Sequence, residues 1–121
     1  MKTHEMTTNR QMYVRFLHAT LTLEAEKKLQ DIDLMELKLL EMLAVASEAE
    51  KPMNVGEAMS ADWIASPATL HRKIRSLIDT GYVSSEFFGR NRRTRYLVPT
   101  EKANAFFSQM GKSMKLCMSE V

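Results

Sequence analysis

The sequence predicts a mainly α-helical fold that contains one small β-hairpin. Apolar residues recur at helical spacing in several segments, and only the stretch from about Tyr82 to Val98 has strand-like composition. Glycine and proline are scarce and lie where elements are expected to begin or end. A chain of 121 residues fits a single domain. The predicted order is four helices, a hairpin and a final helix.

Two long helices are expected in the first part of the chain. Residues 1–9 are polar and expected to be frayed, and the first helix is then predicted from Gln11 to about Leu29. Its apolar positions include Tyr13, Phe16, Leu17 and Leu21. The second helix is predicted from Asp33, a suitable N-cap, to about Ala49. Because this helix is apolar over a wide arc, it is expected to be central.

Two helix start signals follow closely in the next segment. Asn54 with Glu57 three residues later forms a capping-box pattern, which predicts a short helix to about Ser60. The Ser-Pro pair at 66–67 predicts the start of another helix, which Gly81 ends. The apolar face of the helix that starts at Ser66 comprises Leu70, Ile74, Leu77 and Ile78.

A β-hairpin and a last helix complete the predicted fold. Residues 82–88 and 94–98 have strand composition, and the polar residues 89–93 form the predicted tip. Pro99 ends the second strand, and Thr100 is expected to cap the final helix. The apolar positions of that helix are Ala103, Phe106, Phe107, Met110, Met114 and Cys117. This order of elements is typical of a winged helix-turn-helix.

Positive charge is concentrated in one quarter of the sequence. Residues 66–95 contain seven Lys or Arg and two acidic residues, a net charge of +5, whereas the remaining residues carry a net charge of −3. Such asymmetry is typical of an electrostatic footprint for nucleic acid. A solvated basic face is the alternative explanation, so the decision depends on the two elements that carry the charge.

The helix that follows Ser66 has the properties of a helix that enters the major groove of DNA. Small and polar residues at its N-terminal end would let the backbone approach the bases, and Arg72 would reach guanine edges or phosphate from one turn further on. The predicted DNA-contacting residues of this helix are Ser66, Pro67, Ala68, Thr69, His71, Arg72, Lys73 and Arg75. The alternative is an ordinary amphipathic surface helix.

The hairpin tip is the second basic element. Its predicted DNA-contacting residues are Arg90, Arg92, Arg93 and Arg95. Four cations in a small loop repel one another, and phosphates or a narrow minor groove would neutralise them. The alternative is a turn that is merely soluble, but such turns usually have mixed charge.

Two stretches of the sequence resemble MarR-type transcription regulators. Residues 66–83, SPATLHRKIRSLIDTGYV, resemble the recognition helix and first wing strand of that family, and residues 91–102, NRRTRYLVPTEK, resemble its wing and next helix. The resemblance extends over about residues 33–118. It implies a homodimer that binds pseudo-palindromic double-stranded DNA and usually represses transcription, and it allows a pocket for a small-molecule effector. The family normally has an acid where Asn91 stands, which helps to orient a wing arginine.

The first and last helices are expected to form a homodimer interface. Their apolar stripes together exceed what a four-helix core of this size needs, and exposed stripes of this kind favour association. The predicted interface residues are Tyr13, Phe16, Leu17, Leu21, Phe106, Phe107, Met110 and Met114. The expected organisation is one domain of residues 1–121, with dimerisation helices at 10–30 and 101–118 and a DNA-binding core at 54–98.

No residue pattern supports an enzyme, a metal site or a cofactor site. The sequence lacks a nucleophile motif and a glycine-rich phosphate loop. The histidines and Cys117 lack metal-ligand spacing, and Cys117 is interpreted as a packing residue rather than a redox sensor. A single cysteine, with neither a signal peptide nor a membrane span, suggests a cytoplasmic protein.

These patterns favour a sequence-specific duplex-DNA-binding transcription regulator, of the repressor type that the resemblance implies. Two alternatives stay open: a winged-helix protein-interaction module, and a DNA-binding protein for replication or partition. The basic elements argue against the interaction module, because protein interfaces deplete lysine at their centres.

Overall fold

The predicted winged helix-turn-helix order is confirmed. The structure is a computed structural model that describes residues 2–25 and 31–119. Its elements are α1 (Lys2–Ala25), α2 (Leu34–Glu48), β1 (Met53–Asn54), α3 (Val55–Met59), α4 (Pro67–Asp79), β2 (Val83–Glu86), β3 (Tyr96–Pro99) and α5 (Glu101–Ser119). The chain divides into two compact units, one of residues 31–104 and the other of residues 1–30 with 105–121.

Helix α1 begins earlier than the sequence predicted. Residues 2–9 are helical and not frayed, which corrects the expectation drawn from their polarity. The segment has neither glycine nor proline, and its lysine, glutamate and methionine are good helix formers. Thr7 Oγ1 also donates a 2.9 Å hydrogen bond to the Thr3 carbonyl, so this hydroxyl is satisfied within the helix. The predicted continuation over residues 26–29 lies outside the described residues.

Capping residues start α2 and α3 as predicted. The Asp33 carboxylate accepts a hydrogen bond from Glu36 N at 2.8 Å, and the Glu36 side chain accepts one from Asp33 N at 3.0 Å. Asn54 and Glu57 form the same reciprocal pair, with distances of 2.8 and 2.9 Å. These bonds satisfy backbone amides that the start of a helix leaves without partners.

Helix α2 supplies the centre of the core in the unit of residues 31–104, as expected from its wide apolar arc. The fully buried leucines of this unit are Leu39, Leu40, Leu43, Leu70, Leu77 and Leu97. Burying each of them contributes about 1.5–3 kcal/mol of hydrophobic stabilisation. Ile78 was expected to be buried with the other apolar residues of α4, but 37% of it is exposed. It lies at the edge of the apolar arc of α4, where it lines a small surface cavity together with Val55 and Ser85.

A three-stranded antiparallel sheet in the order β1-β3-β2 carries the hairpin. Strand β1 pairs with β3 through Met53 and Leu97, and it was not predicted from the sequence. Two residues are too few to show a strand period, and their partners lie far along the chain. Strand β3 is therefore hydrogen-bonded to a neighbour on each side.

The hairpin loop is longer than the sequence predicted. Strand β2 ends at Glu86, which pairs with Tyr96 at the start of β3, so residues 87–95 form the loop. Residues 87–88 and 94–95 had been expected in the strands. Gly89 has a φ of 60°, a conformation that glycine adopts without strain, and it lies in this loop at the start of the tip.

Helix α5 begins after Thr100, as predicted. Thr100 Oγ1 donates a 2.6 Å hydrogen bond to the Gly81 carbonyl, and it accepts a 3.5 Å bond from Ala103 N in the first turn of α5. Near the other end of this helix, Cys117 is buried, as expected for a packing residue. Among the described helices, none is long and apolar enough to cross a membrane.

Candidate nucleic-acid interface

The start of α4 presents small and polar groups on its outer side. Ser66 is the N-cap, and its hydroxyl oxygen accepts a 3.4 Å hydrogen bond from Thr69 N. Pro67 occupies the first helical position, where its missing N–H leaves no vacant bond. Ser66, Pro67 and Ala68 are exposed, and Thr69 is half-buried. A phosphate backbone or a base edge could therefore approach the main chain here.

Three basic side chains continue this outer face. His71, Arg72 and Arg75 are exposed, whereas Leu70 and Ile74 on the opposite face are 0% and 4% exposed. The helix thus separates an apolar face that anchors it from a basic face that is open to a partner. This separation is the arrangement that a groove-binding helix requires.

A short hydrogen-bonded array joins the N-cap to the first arginine. Ser66 Oγ donates to Thr69 Oγ1 at 3.1 Å, and Arg72 Nη2 donates to the same Thr69 oxygen at 3.3 Å. The array limits the rotamers of Arg72 before any ligand binds. Because a guanidinium group has five N–H donors, most of them remain available to bases or phosphates.

Lys73 is the member of the predicted set that the structure separates from the others. Its ammonium group forms an ion pair with Asp33, the N-cap of α2, and the Lys73 side chain is only 26% exposed. Partial burial would raise the pKa of Asp33, but hydrogen bonds from Lys73 and from Glu36 N outweigh it, and the pKa lies below its usual value. The charge of Lys73 is thus largely balanced within the protein.

The hairpin loop, here called the wing (residues 87–95), holds four arginines. Arg95 Nη1 donates a 3.3 Å hydrogen bond to the Ser85 carbonyl, and its guanidinium carbon lies 4.5 Å from the centre of the Phe87 ring. The guanidinium carbon of Arg92 lies 5.7 Å from the same ring centre. Both distances fall within the range of cation–π contacts. Arg90 and Arg93 are exposed at the tip.

Asn91 shapes the tip. It stands at the position where the MarR-type regulators that the sequence resembles normally have an acid. Asn91 Oδ1 accepts a 2.9 Å hydrogen bond from Arg93 N, which closes a local turn. Among the described residues, no carboxylate lies within ion-pair distance of any wing arginine. The wing therefore keeps its full positive charge.

Sequence reasoning missed the aromatic residues that support these basic elements. Phe87 contacts two arginines, and Phe88 stacks on Tyr96 with ring centres 5.2 Å apart. Aromatic content was noted there, but the partner of each ring depends on where the strands end. Trp63, in the connection between α3 and α4, is 66% exposed and was assigned no role.

A polar cluster at the end of the hairpin that is opposite to the wing was also missed. Tyr82 Oη donates a 2.6 Å hydrogen bond to Asp31, and Lys102 Nζ donates to Asp31 at 2.9 Å and to the Thr80 carbonyl at 2.8 Å. Burial and the bond to Asp31 raise the pKa of the Tyr82 hydroxyl well above its usual value. The cluster ties the segment before α2 to the end of α4 and the start of α5.

No group of three or more residues within the described ranges has the arrangement needed to hold a metal ion. No family model and no curated protein sequence matches the chain.

Solved structures share the fold of this chain at low sequence identity. A transcriptional regulator from Thermotoga maritima matches with a TM-score of 0.66 and 16% identity, over 99% of this chain and 78% of its own. A MarR-like transcriptional regulator from the same organism has a TM-score of 0.61 and 16% identity, over 91% and 77%. A MarR family protein from Mycobacterium tuberculosis, in complex with salicylic acid, has a TM-score of 0.51 and 16% identity, over 99% and 80%. The chain therefore has the winged-helix fold of MarR-type regulators, as its sequence resemblance implied.

Proposed function

We propose that this protein is a sequence-specific, duplex-DNA-binding transcription regulator that acts as a homodimer and represses transcription. The observation that carries the proposal is the exposed basic face of α4, which starts with small polar residues and is accompanied by a wing of four arginines with no acid. The shared fold supports the same reading. The proposal includes a cytoplasmic location, and the proposed function requires no catalytic group.

In the proposed complex, the outer face of α4 lies in the major groove. Thr69 and Arg72 would contact base edges, and the exposed Ser66 and the main chain near Pro67 would face a phosphate. His71 and Arg75 would contact the backbone on either side. Lys73 would contribute least, because its charge is already engaged by Asp33. The wing would lie along the adjacent backbone or minor groove.

A homodimer is proposed from the apolar surface of the unit that contains α1 and the last part of α5. Tyr13 and Leu21 of α1 are 61% and 62% exposed, and Met114 of α5 is 49% exposed. An apolar cavity of about 320 Å³ is lined by Asn9, Met12, Tyr13, Phe16, Met114 and Met118. A second copy would remove these side chains from water. Phe106 is already buried within one chain, so it would pack beneath the interface residues rather than contact the second copy.

Selection of bound sequences from random duplex DNA tests this function. An enriched site with two-fold symmetry is expected, and its affinity should exceed that for random duplex by a factor of about 10³ or more. Binding of all duplexes with equal affinity would instead favour a replication or partition role. No binding to any duplex at moderate salt would leave the protein-interaction module as the remaining alternative.

Sedimentation velocity tests the homodimer separately. A dimer is expected at tens of micromolar protein, and Tyr13→Glu should weaken it because a charge would enter the apolar patch. A clean monomer of the unchanged protein would refute the dimer. A small-molecule effector is proposed only by analogy with the salicylic acid complex, and a thermal-shift screen with aromatic carboxylates would test for one.

A further inference from the structure

We infer that Phe87 is a positioning residue for DNA binding: its ring holds the guanidinium groups of Arg95 and Arg92 in place so that the wing presents pre-oriented charges to DNA. The inference rests on the proposed function and adds a residue that the basic patterns do not reveal. It places the orientation of the wing arginines on an aromatic ring rather than on an acid.

The geometry gives Arg95 two anchors. Its guanidinium carbon lies 4.5 Å from the centre of the Phe87 ring, and its Nη1 donates to the Ser85 carbonyl at 3.3 Å. Ser85 belongs to β2, and Arg95 immediately precedes β3, so the bond spans the base of the hairpin. An arginine with two such contacts samples fewer rotamers than a free one. Less side-chain entropy is then lost when DNA binds.

Arg92 contacts the same ring from further along the loop. Its guanidinium carbon is 5.7 Å from the ring centre, near the outer limit for a cation–π contact. Two cations that share one ring also repel each other in the free protein. A phosphate that neutralises either of them relieves this repulsion, so the arrangement favours binding to a polyanion.

An aromatic ring can orient a cation without neutralising its charge, whereas a carboxylate neutralises the cation that it orients. Within this chain, Asp33 holds Lys73 in place but balances its charge. Phe87 is uncharged, so the arginines that it orients retain their full charge for phosphate. The wing has Asn91 at the position of the family acid, and the amide bonds to the backbone of Arg93 rather than to an arginine side chain. Phe87 thus performs the orienting role without reducing the charge of the wing.

The neighbouring Phe88 provides a matched control. It has the same side chain, lies in the same loop and is 43% exposed, but its ring stacks on Tyr96 and makes no cation–π contact within the described residues. Replacing Phe88 by Leu removes an aromatic contact from the wing without removing the support of an arginine. A general loss of wing structure should therefore appear in both variants, and a loss of positioning only in one.

The experiment measures the affinity of Phe87→Leu, Phe88→Leu and Phe87→Trp for a fluorescent duplex at several salt concentrations. Phe87→Leu should weaken binding by about two- to fivefold for each wing that touches DNA, which is the usual strength of an exposed cation–π contact. Phe87→Trp should restore the affinity, because tryptophan is the best cation–π acceptor. Phe88→Leu should have a smaller effect.

A second comparison separates positioning from folding. In a background of Arg92→Ala with Arg95→Ala, Phe87→Leu should weaken binding no further, because there is no guanidinium left to position. Arg95→Lys tests the same contact while Phe87 stays unchanged. It retains the charge but loses the planar guanidinium group, and it too should weaken binding. Circular dichroism would confirm that each variant is folded.

The outcomes distinguish this inference from the proposed function. If the unchanged protein binds duplex DNA and Phe87→Leu binds equally well, the role of Phe87 is refuted and the proposed function stands. An equal loss from Phe87→Leu in the presence and absence of the two arginines would also refute the role. If the unchanged protein binds no duplex, the proposed function fails and the inference fails with it.

Discussion

Thr69 Oγ1 accepts hydrogen bonds from Ser66 on one side and from Arg72 Nη2, 3.3 Å away, on the other. The first arginine of α4 is thereby connected to the N-cap that starts the helix. Thr69, whose N–H bonds to the N-cap, therefore also limits the orientation of Arg72, which is proposed to read DNA.

Arg72→Ala should weaken binding to the preferred site by about 1–3 kcal/mol and relax the base preference there, because a guanidinium that contacts a guanine edge discriminates between bases. Titration of the preferred duplex and a random duplex would measure both effects. Lys73→Ala removes the same charge and should cost less, since Asp33 engages Lys73. An equal loss on both duplexes would make Arg72 a phosphate contact instead.

Replacing Arg92 and Arg93 together by Ala should reduce the salt dependence of binding. If each subunit neutralises three to five phosphates, log affinity should fall with log salt at a slope of about −5 to −9 in the dimer, and the double variant should lower its magnitude by up to about 4. The control replaces Lys112 and Lys115 by Ala. Both are exposed lysines of α5 that lie outside the proposed DNA-contacting residues. A slope that is unchanged in a folded double variant would mean that the wing does not touch DNA.

Asn91→Asp tests whether the absence of an acid from the wing matters. Aspartate can accept the same hydrogen bond from Arg93 N that Asn91 accepts at 2.9 Å, so the turn should persist while one negative charge is added. Binding should weaken, and the magnitude of the salt slope should fall by about one for each wing. Asn91→Ser, a neutral acceptor, is the control. Tighter binding by the aspartate variant would show instead that an acid improves the wing, as the family resemblance implies.

Tyr82→Phe should destabilise the fold by about 1–2 kcal/mol near neutral pH, because it removes a hydrogen bond to a charged carboxylate that is partly exposed. Hydrogen bonds from Tyr82 and Lys102 hold the pKa of Asp31 below its usual value. A depressed folded-state pKa contributes stability above the unfolded pKa, and this contribution is lost as pH falls through the folded pKa.

The difference in unfolding free energy between Tyr82→Phe and the unchanged protein should therefore narrow in acid. Urea unfolding at neutral pH and at about pH 3, below the usual pKa of aspartate, would measure it. Lys38→Ala is a suitable control, since its ion pair with Glu41 is exposed and should be worth little at either pH. A destabilisation by Tyr82→Phe that is the same at both pH values would contradict the role of the charged acceptor.

The features that the sequence predicted well are those encoded within a few residues. These features are the N-cap of α2 at Asp33, the capping box of Asn54, the Ser-Pro start of α4 and the glycine at its end, and all of them depend on residues within a few positions. Periodicity likewise identified the buried face of α4, except at its edge, where Ile78 is exposed. Local chemistry decides these elements, so a single sequence is sufficient to identify them.

The features that escaped prediction depend on pairings between distant segments. Strand β1 exists because Met53 pairs with Leu97, and the polar cluster at the opposite end of the hairpin from the wing joins Asp31 to Lys102. The partner of Phe87 could not be assigned until the ends of the hairpin strands were known. Composition identified the wing arginines as a group, but it gave no information on which of them are held and which are free.

The exposed Trp63 gives the protein an internal optical reporter. It is the single tryptophan of the chain, it is 66% exposed, and it lies in the connection that leads directly into the start of α4. Its emission therefore arises from one place, beside the turn that would approach the DNA backbone. Collisional quenching by iodide, which reaches an indole open to solvent, should be reduced once duplex covers that turn. Occupancy of an operator could then be followed without attaching a dye to either molecule.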